Sequence, residues 1–476
     1  MIDRIPQLSW RALAWMLPLA LIVAIVPQPA LWIGLAALAA VALPLIHPVF
    51  GVYLAILSVP LQEQIPLPGG VSLTQIAVAL TLGAWGLRTL AHPERRLRIG
   101  WLTPRWVALL LALLFAACMA SYSNAAGFRE TARWGVAFLM YMIAVDCVEE
   151  PWQIAGLIVC LLAGPLAESL LGLWQFVSGE GPPSFRIAAD SPYLRAYGTF
   201  GQPNSFAGYL NMGWPLALAL GAAGAAALLR RGAGRWALAA LPLAGAMLAA
   251  LGASFSRGAW LGAALGLLAL LATLGRRASL AVGAAALVGV VVIGLAIGGA
   301  LPPALAVRLQ SITRSLTLFD ASAAQVTPEN YAVVERMAHI QAGWRMFVAH
   351  PLTGVGPGNF SLAYPKMKVG DWFVSRGHAH NFYLHIAAES GVFGLLAYVW
   401  LIVGSARTAI QALRRADGLW RRAAAAGCCG IIAAVAGHNL FENLHVLNMG
   451  IQLAGIWALA EALGNTRSKE QEARSL

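Results

Sequence analysis

The chain has 476 residues, 59% of them hydrophobic and 11% charged, with a mean hydropathy of +0.71. That profile excludes an ordinary soluble globular domain and points to an all-α integral membrane protein. The net charge of +12 has no soluble basic domain to carry it, which excludes nucleic acid as a partner.

A bilayer core takes about 20 apolar residues per helix. In chain order, apolar stretches run 13–26, 30–46, 49–61, 71–90, 106–120, 134–145, 154–177, 206–229, 237–251, 259–274, 280–300, 382–402, 423–435 and 447–463. Several of the early ones are short, and merging or re-entry of two reduces the 14 candidates to 12. The first follows Arg4 and Arg11 without a small-residue cleavage site, so it reads as a retained span. Cys118, Cys147, Cys160, Cys428 and Cys429 lie in or beside spans without metal-type spacing, implying neither disulfides nor zinc.

Arginine clusters set the orientation, because short cytoplasmic loops concentrate basic residues. With the N-terminus inside, Arg95-Arg96-Arg98, Arg230-Arg231-Arg235, Arg276-Arg277, Arg414-Arg415, Arg421-Arg422 and the tail Arg467 and Lys469 all fall inside, and both termini are cytoplasmic. The opposite loops then share one face. They carry RAYGTFGQPN from Arg195, SFSRG at 254–258, a loop of about 80 residues over 301–380, and HNLFEN from His438. A loop of that length is usually functional.

Within the long loop, Thr327-Pro328-Glu329 predicts an N-cap with proline at the first helical position. Val333, Met337, Ile340, Trp344 and Phe347 then recur at helical spacing, predicting an amphipathic surface helix that stops near Pro351. The following GVGPG at 354–358 predicts a tight turn, ordinary or with its amides facing an anion. Tyr331, Arg336, Trp344 and Trp372 suit either sugar or, for the tryptophans, membrane-surface anchoring. The chain divides into helices over 1–300, the long loop over 301–380, and C-terminal helices with a short tail over 381–476.

Only Lys366, Lys368 and Lys469 are lysines among 32 basic residues, so nearly every cation is a guanidinium able to grip phosphate oxygens in pairs. Arg195 and Arg257 stand beside spans, where a charge needs a partner or an aqueous cavity. Each either binds a phosphate-bearing substrate, snorkels to the surface, or pairs with Glu442 or Glu389. His378, His380 and Asn381 end the long loop on the same face, with no zinc-like carboxylate or cysteine companion to suggest a metal site. His385 lies further on and reads as packed. Asp190, Asp320, Asp371 and Glu335 are scattered acids without an Asp-x-Asp pair to hold a divalent ion.

Together, Arg195 with GTFGQPN, the SFSRG turn, HPLTGVGPGNF, and His380-Asn381 followed nine residues later by Gly391 and then Gly394 resemble the O-antigen ligase and polymerase superfamily of bacterial envelope glycosyltransferases. The likeness covers roughly 193–448 and is nearest to the O-antigen ligases. The resemblance implies about 12 transmembrane helices (12 to 14 by the stretches above) in a polytopic bundle, and a large periplasmic loop with surface helices. It implies residence in the bacterial inner membrane with the active site facing the periplasm. It also implies metal-independent transfer, without a cofactor, of O-polysaccharide from an undecaprenyl-diphosphate donor to a lipid A core acceptor. The matching positions are His380, Arg195 and Arg257.

The residue chemistry agrees with these implications. Guanidiniums aimed at a departing diphosphate supply transition-state stabilisation. A largely neutral imidazole at His380 takes the acceptor hydroxyl proton, with His378, Asn381, Asn204, Arg336, Tyr331, Glu442 and His438 as supporting or substrate-binding residues. A polymerase or a protein O-glycosyltransferase of the superfamily would share the same residues. A transporter or lipid flippase would place its polar residues near the bilayer midplane instead of on one face.

Overall fold

The structure is a computed structural model that describes residues 29–62, 64, 71–187, 191–231, 238–277, 280, 283–284, 319–327 and 330–475. The expected span over 13–26, nearly all of that over 280–300, and Asp190 lie outside the described residues.

Described residues are helical throughout, apart from loops, two short 3-10 turns and one isolated bridge between Arg186 and Leu194. The helices are α1 (Pro29–Ile46), α2 (Pro48–Ser58), α3 (Leu73–Ala91), α4 (Thr103–Cys118), α5 (Asn124–Cys147), α6 (Pro151–Ser178), α7 (Pro203–Asn211) and α8 (Trp214–Arg231). They continue with α9 (Ala240–Ala253), α10 (Arg257–Ala272), α11 (Tyr331–Ala349), α12 (Phe360–Met367), α13 (Phe382–Arg415), α14 (Leu419–His438) and α15 (Met449–Ser475). Four apolar runs are long enough to cross a membrane by length and composition: Pro151–Ser178, Pro203–Arg230, Phe382–Arg415 and Leu419–His438. Shorter apolar helices accompany them, including Thr103–Cys118, Ala240–Ala253 and Arg257–Ala272. The described residues are thus all-helical, with apolar helices that suggest a membrane protein.

The helices pack around α13, which lies against α4, α14 and α15, while α14 also meets α8 and α10. Helix α13 is not straight. Its dihedrals break at Gly391, with φ 65° and ψ −165°. Phe382 and Tyr398 are sixteen residues apart, about 24 Å along a straight helix, yet their ring centroids are 4.9 Å apart. The arm 382–390 therefore folds back along the arm 392–415, and His445 packs on both rings at 4.6 and 5.4 Å.

Such a reversal exposes the last carbonyls of the short arm, which must find donors where water is scarce. The GVGPG segment supplies them. Val355 N–H donates to Ala388 O at 2.9 Å and Gly356 N–H to Glu389 O at 2.9 Å, while Val392 N–H reaches Pro351 O at 2.8 Å. In return the Glu389 carboxylate accepts from Gly358 N–H and Phe360 N–H, each at 2.8 Å, holding the start of α12. These amides are engaged by the protein itself, so GVGPG is a structural turn and not an anion cradle. At Gly391 a Cβ would lie 2.2 Å from the Leu352 carbonyl, and the positive φ adds backbone strain.

Some expectations shift. Helix α5 begins at Asn124, ten residues before the apolar stretch, because Glu130 and Arg133 pair with each other and Arg133 also donates to the His445 carbonyl. The loop helix starts at Tyr331; Thr327 carbonyl instead accepts Asn330 and Tyr331 N–H at 3.2 and 2.9 Å. Its buried face is Val334, Met337, Ala338, His339, Ala342 and Met346, and Trp344 points outward with 57% of its surface exposed.

Gly391→Ala is expected to lower the thermal midpoint of the purified protein by several degrees, through strain and overpacking of a few kcal/mol. Gly83→Ala, where an added Cβ meets nothing within 4 Å, is the matched control and is expected to leave the midpoint unchanged. Equal midpoints for both variants would contradict the reversal.

Candidate active site

The short arm delivers the site. Asn381 caps it, accepting Leu384 N–H at 3.0 Å, so this side chain positions the helix. Phe382 N–H donates to Asn439 O at 2.7 Å, tying the arm to the end of α14. Just before it, His380 has φ 51°, a left-handed backbone that costs a non-glycine residue about 1 kcal/mol or more and that clusters at functional sites. The bend lets His380 N–H donate to His378 Nδ1 at 3.1 Å.

That bond fixes a tautomer. With Nδ1 accepting, the proton of neutral His378 sits on Nε2, which faces Glu442 Oε1 at 3.1 Å. Glu442 also lies 3.7 Å from His380 Nδ1 and accepts Asn204 Nδ2–H at 2.6 Å. Asn204 in turn accepts from Arg195 at 3.4 Å, and Arg195 Nε donates to the Ser254 carbonyl of the SFSRG turn at 2.9 Å. One polar chain thus joins four segments far apart in sequence. Arg195 reaches Glu442 through Asn204, not as a direct ion pair.

The cations converge as well. Burial, and then the like charges of Arg336 and Arg257, lower the Arg195 guanidinium from its ordinary value. Arg336 also acts electrostatically on His378 and Glu442, and its Nε is buried without a hydrogen-bond partner. Burial alone would raise the Glu442 carboxyl, but the neighbouring His378 and His380 and the Arg336 charge outweigh it and hold Glu442 well below the usual carboxylate range. Burial pushes His378 down to about 4, against the pull of Glu442. Near neutral pH the pair is therefore a carboxylate and a neutral imidazole donor.

His438 completes the wall beneath. Both its ring nitrogens are buried without hydrogen-bond partners, and the ring packs against the start of α10 beside Gly258. His385 is packed, as expected, against Phe360 and Phe382 at 5.3 and 5.9 Å. The Tyr331 ring packs on Trp372 at 5.1 Å. The sequence missed His339, which is fully buried and packs edge-on to His380 at 5.5 Å. Its signal was position: three residues after Arg336 it shares the same helix face. Also missed were Glu168 and Gln175 of α6, which mould the GTFGQ loop through Thr199 N–H at 2.9 Å and Gly198 N–H at 2.8 Å.

The expected lack of a carboxylate companion for the histidines is corrected by the fold, because Glu442 comes from a distant turn. His378, His380 and Glu442 place one ligand atom each within 4.8 Å of one another. The hydrogen bonding does not suit a metal, however. Ligation through His378 Nε2 needs the proton on Nδ1, which would break the bond from His380 N–H, and the surrounding guanidiniums repel a dication.

Because His378 is held below its unfolded value near 6.5, the unfolded chain binds the extra proton between about pH 6.5 and 4. Stability is then present above that window and is lost as pH falls through it, by roughly 3 kcal/mol for a shift of this size. Thermal midpoints measured from pH 7 to 4.5 are expected to fall steeply for the natural chain and less for His378→Gln. Parallel curves would contradict a buried neutral His378.

No curated protein matches this chain. Residues 239–399 match the family model described as O-antigen ligase, a segment that carries Arg257, Arg336, His378, His380 and the Gly391 reversal. The match covers about a third of the chain and supports the O-antigen ligase superfamily, a glycosyltransferase-like family of membrane proteins.

Proposed function

We propose that this chain is an O-antigen ligase of the bacterial inner membrane, with both termini cytoplasmic and the site facing the periplasm. It joins an O-polysaccharide carried on undecaprenyl diphosphate to a sugar hydroxyl of the lipid A core. The observation that carries the reading is the His378–Glu442–His380 cluster joined through Asn204 to Arg195, with Arg336 and Arg257 near enough to Arg195 to act on its charge.

In the proposed reaction the acceptor oxygen attacks the anomeric carbon, the bond from that carbon to the phosphate oxygen breaks, and its electron pair leaves with the diphosphate. The hydroxyl proton passes to His380. The three guanidiniums meet the negative charge that grows on the leaving group, and such fixed charges are usually the main source of rate acceleration when an anion departs. They replace the divalent ion that other sugar transferases use, so the reaction is metal-independent. Glu442 holds His378 and sits behind His380 Nδ1, stabilising the imidazolium that forms. Attack from the face opposite the diphosphate inverts the anomeric centre. Relative to the sequence reading, Arg336 moves from a sugar-facing role to the diphosphate.

The experiment combines purified protein, undecaprenyl-diphosphate-linked polysaccharide and lipid A core, without nucleotide or metal. Joined product is expected, unaffected by a chelator. His380→Ala is expected to lose at least about 100-fold in turnover. Arg195→Lys, Arg257→Lys and Arg336→Lys each lose about 10- to 1,000-fold, because a point charge lacks the fork. Polymer lengthening without acceptor would assign a polymerase instead, and strict dependence on an added divalent ion would overturn the arginine account.

A further inference from the structure

On the side of α13 away from the histidines, an apolar groove of about 610 Å³ runs between α4 and the 392–415 arm, within the ~300–1,000 Å³ usual for ligand sites. Ala108, Leu111, Ala112 and Phe115 form one wall; Phe393, Leu396, Ala397 and Trp400 form the other. The α4 wall repeats at steps of three and four from Arg105, and the α13 wall continues through Val403 to Arg407, which is exposed. Each stripe therefore ends in a guanidinium at the same end of the groove.

That end is the face opposite the candidate active site. The other end of α4 meets the GVGPG loop, where Ser121 N–H donates to Val355 O at 3.1 Å. From Arg105 to Phe115 the groove is about 15 Å long, half of the roughly 30 Å hydrocarbon core. That is the depth of one leaflet.

Arg105 is built into the wall. Its stem crosses α13 at Gly404, where a Cβ would lie 2.3 Å from Arg105 Cδ. The guanidinium stands 5.3 Å over the Trp400 ring and donates once, to Trp101 O at 2.8 Å, while its Nε is buried without a hydrogen-bond partner. Glu461 of α15 is engaged by Trp101 and Leu102 N–H at 2.9 and 3.2 Å. Two cations at the mouth of a one-leaflet apolar groove complement an anionic headgroup followed by a hydrocarbon chain.

We propose that this groove holds an anionic glycerophospholipid, its phosphate on Arg105 and Arg407 and one acyl chain between α4 and α13. The full-length protein, delipidated in detergent, is mixed with phosphatidylglycerol, phosphatidylcholine or undecaprenyl phosphate, and bound lipid is read by native mass spectrometry. Phosphatidylglycerol is expected to bind at least about tenfold more tightly than phosphatidylcholine, and Arg105→Gln with Arg407→Gln is expected to erase that preference. Ala397→Trp, which fills the groove and keeps both charges, is expected to abolish binding of either phospholipid. Size-exclusion profiles matching the natural chain control for folding, and Arg105→Lys retains the preference. Equal retention of the two phospholipids, or an unaltered preference in the double variant, would overturn the proposal. So would undecaprenyl phosphate displacing phosphatidylglycerol, which makes the groove a donor-chain site, or a lipid-free dimer that Ala397→Trp dissociates.

Discussion

Everything at the candidate active site depends on where the backbone of α13 can turn back on itself. A helix end inside a membrane protein leaves carbonyls that water cannot reach, and here the loop over 351–360 supplies the missing amides while Glu389 supplies the missing acceptor for that loop. The exchange is mutual. The reversal needs the loop to satisfy Ala388 and Glu389, and the loop needs the Glu389 carboxylate to hold Gly358 and Phe360. Because the short arm is clamped this way and tied to Asn439, His380 is presented to Glu442 with a left-handed backbone that an unconstrained chain would relax.

A second level of organisation is electrostatic. Guanidiniums brought together repel one another, and the carboxylate near Arg195 and Arg336 is the buried Glu442, held as an anion by His378, His380 and Arg336. Asn204 and the Ser254 carbonyl fix Arg195 through neutral groups, so its positive charge is oriented without being cancelled. Such a site keeps a surplus of positive potential, which is what a multiply charged leaving group requires.

Much of this was legible in the sequence, for particular reasons. Long apolar runs and arginine clusters encode helices directly, and the pairing of His380-Asn381 with Gly391 and Gly394 preserved in one local segment both the cap and the break. Arg195, Arg257 and His380 stood out because each is polar beside apolar spans. What was not legible is tertiary. Nothing in HNLFEN says that Glu442 will lie 3.1 Å from His378, nor that the GVGPG amides are reserved for the carbonyls of α13. The loop helix was found, but its buried stripe was misplaced, because His339 and Ala338 occupy the face that a search for large apolar residues passes over. Helix α5 was shortened for the same reason, its polar first turns being satisfied by partners from distant segments.

The central claim is that three guanidiniums and one imidazole surround a single diphosphate. A density map of the protein bound to undecaprenyl diphosphate tests it most directly. The account predicts phosphate oxygens within hydrogen-bond reach of Arg195, Arg257 and Arg336, with the His380 ring facing the space where an acceptor hydroxyl enters. A diphosphate bound elsewhere, or held by only one of these cations through a divalent ion, would contradict it.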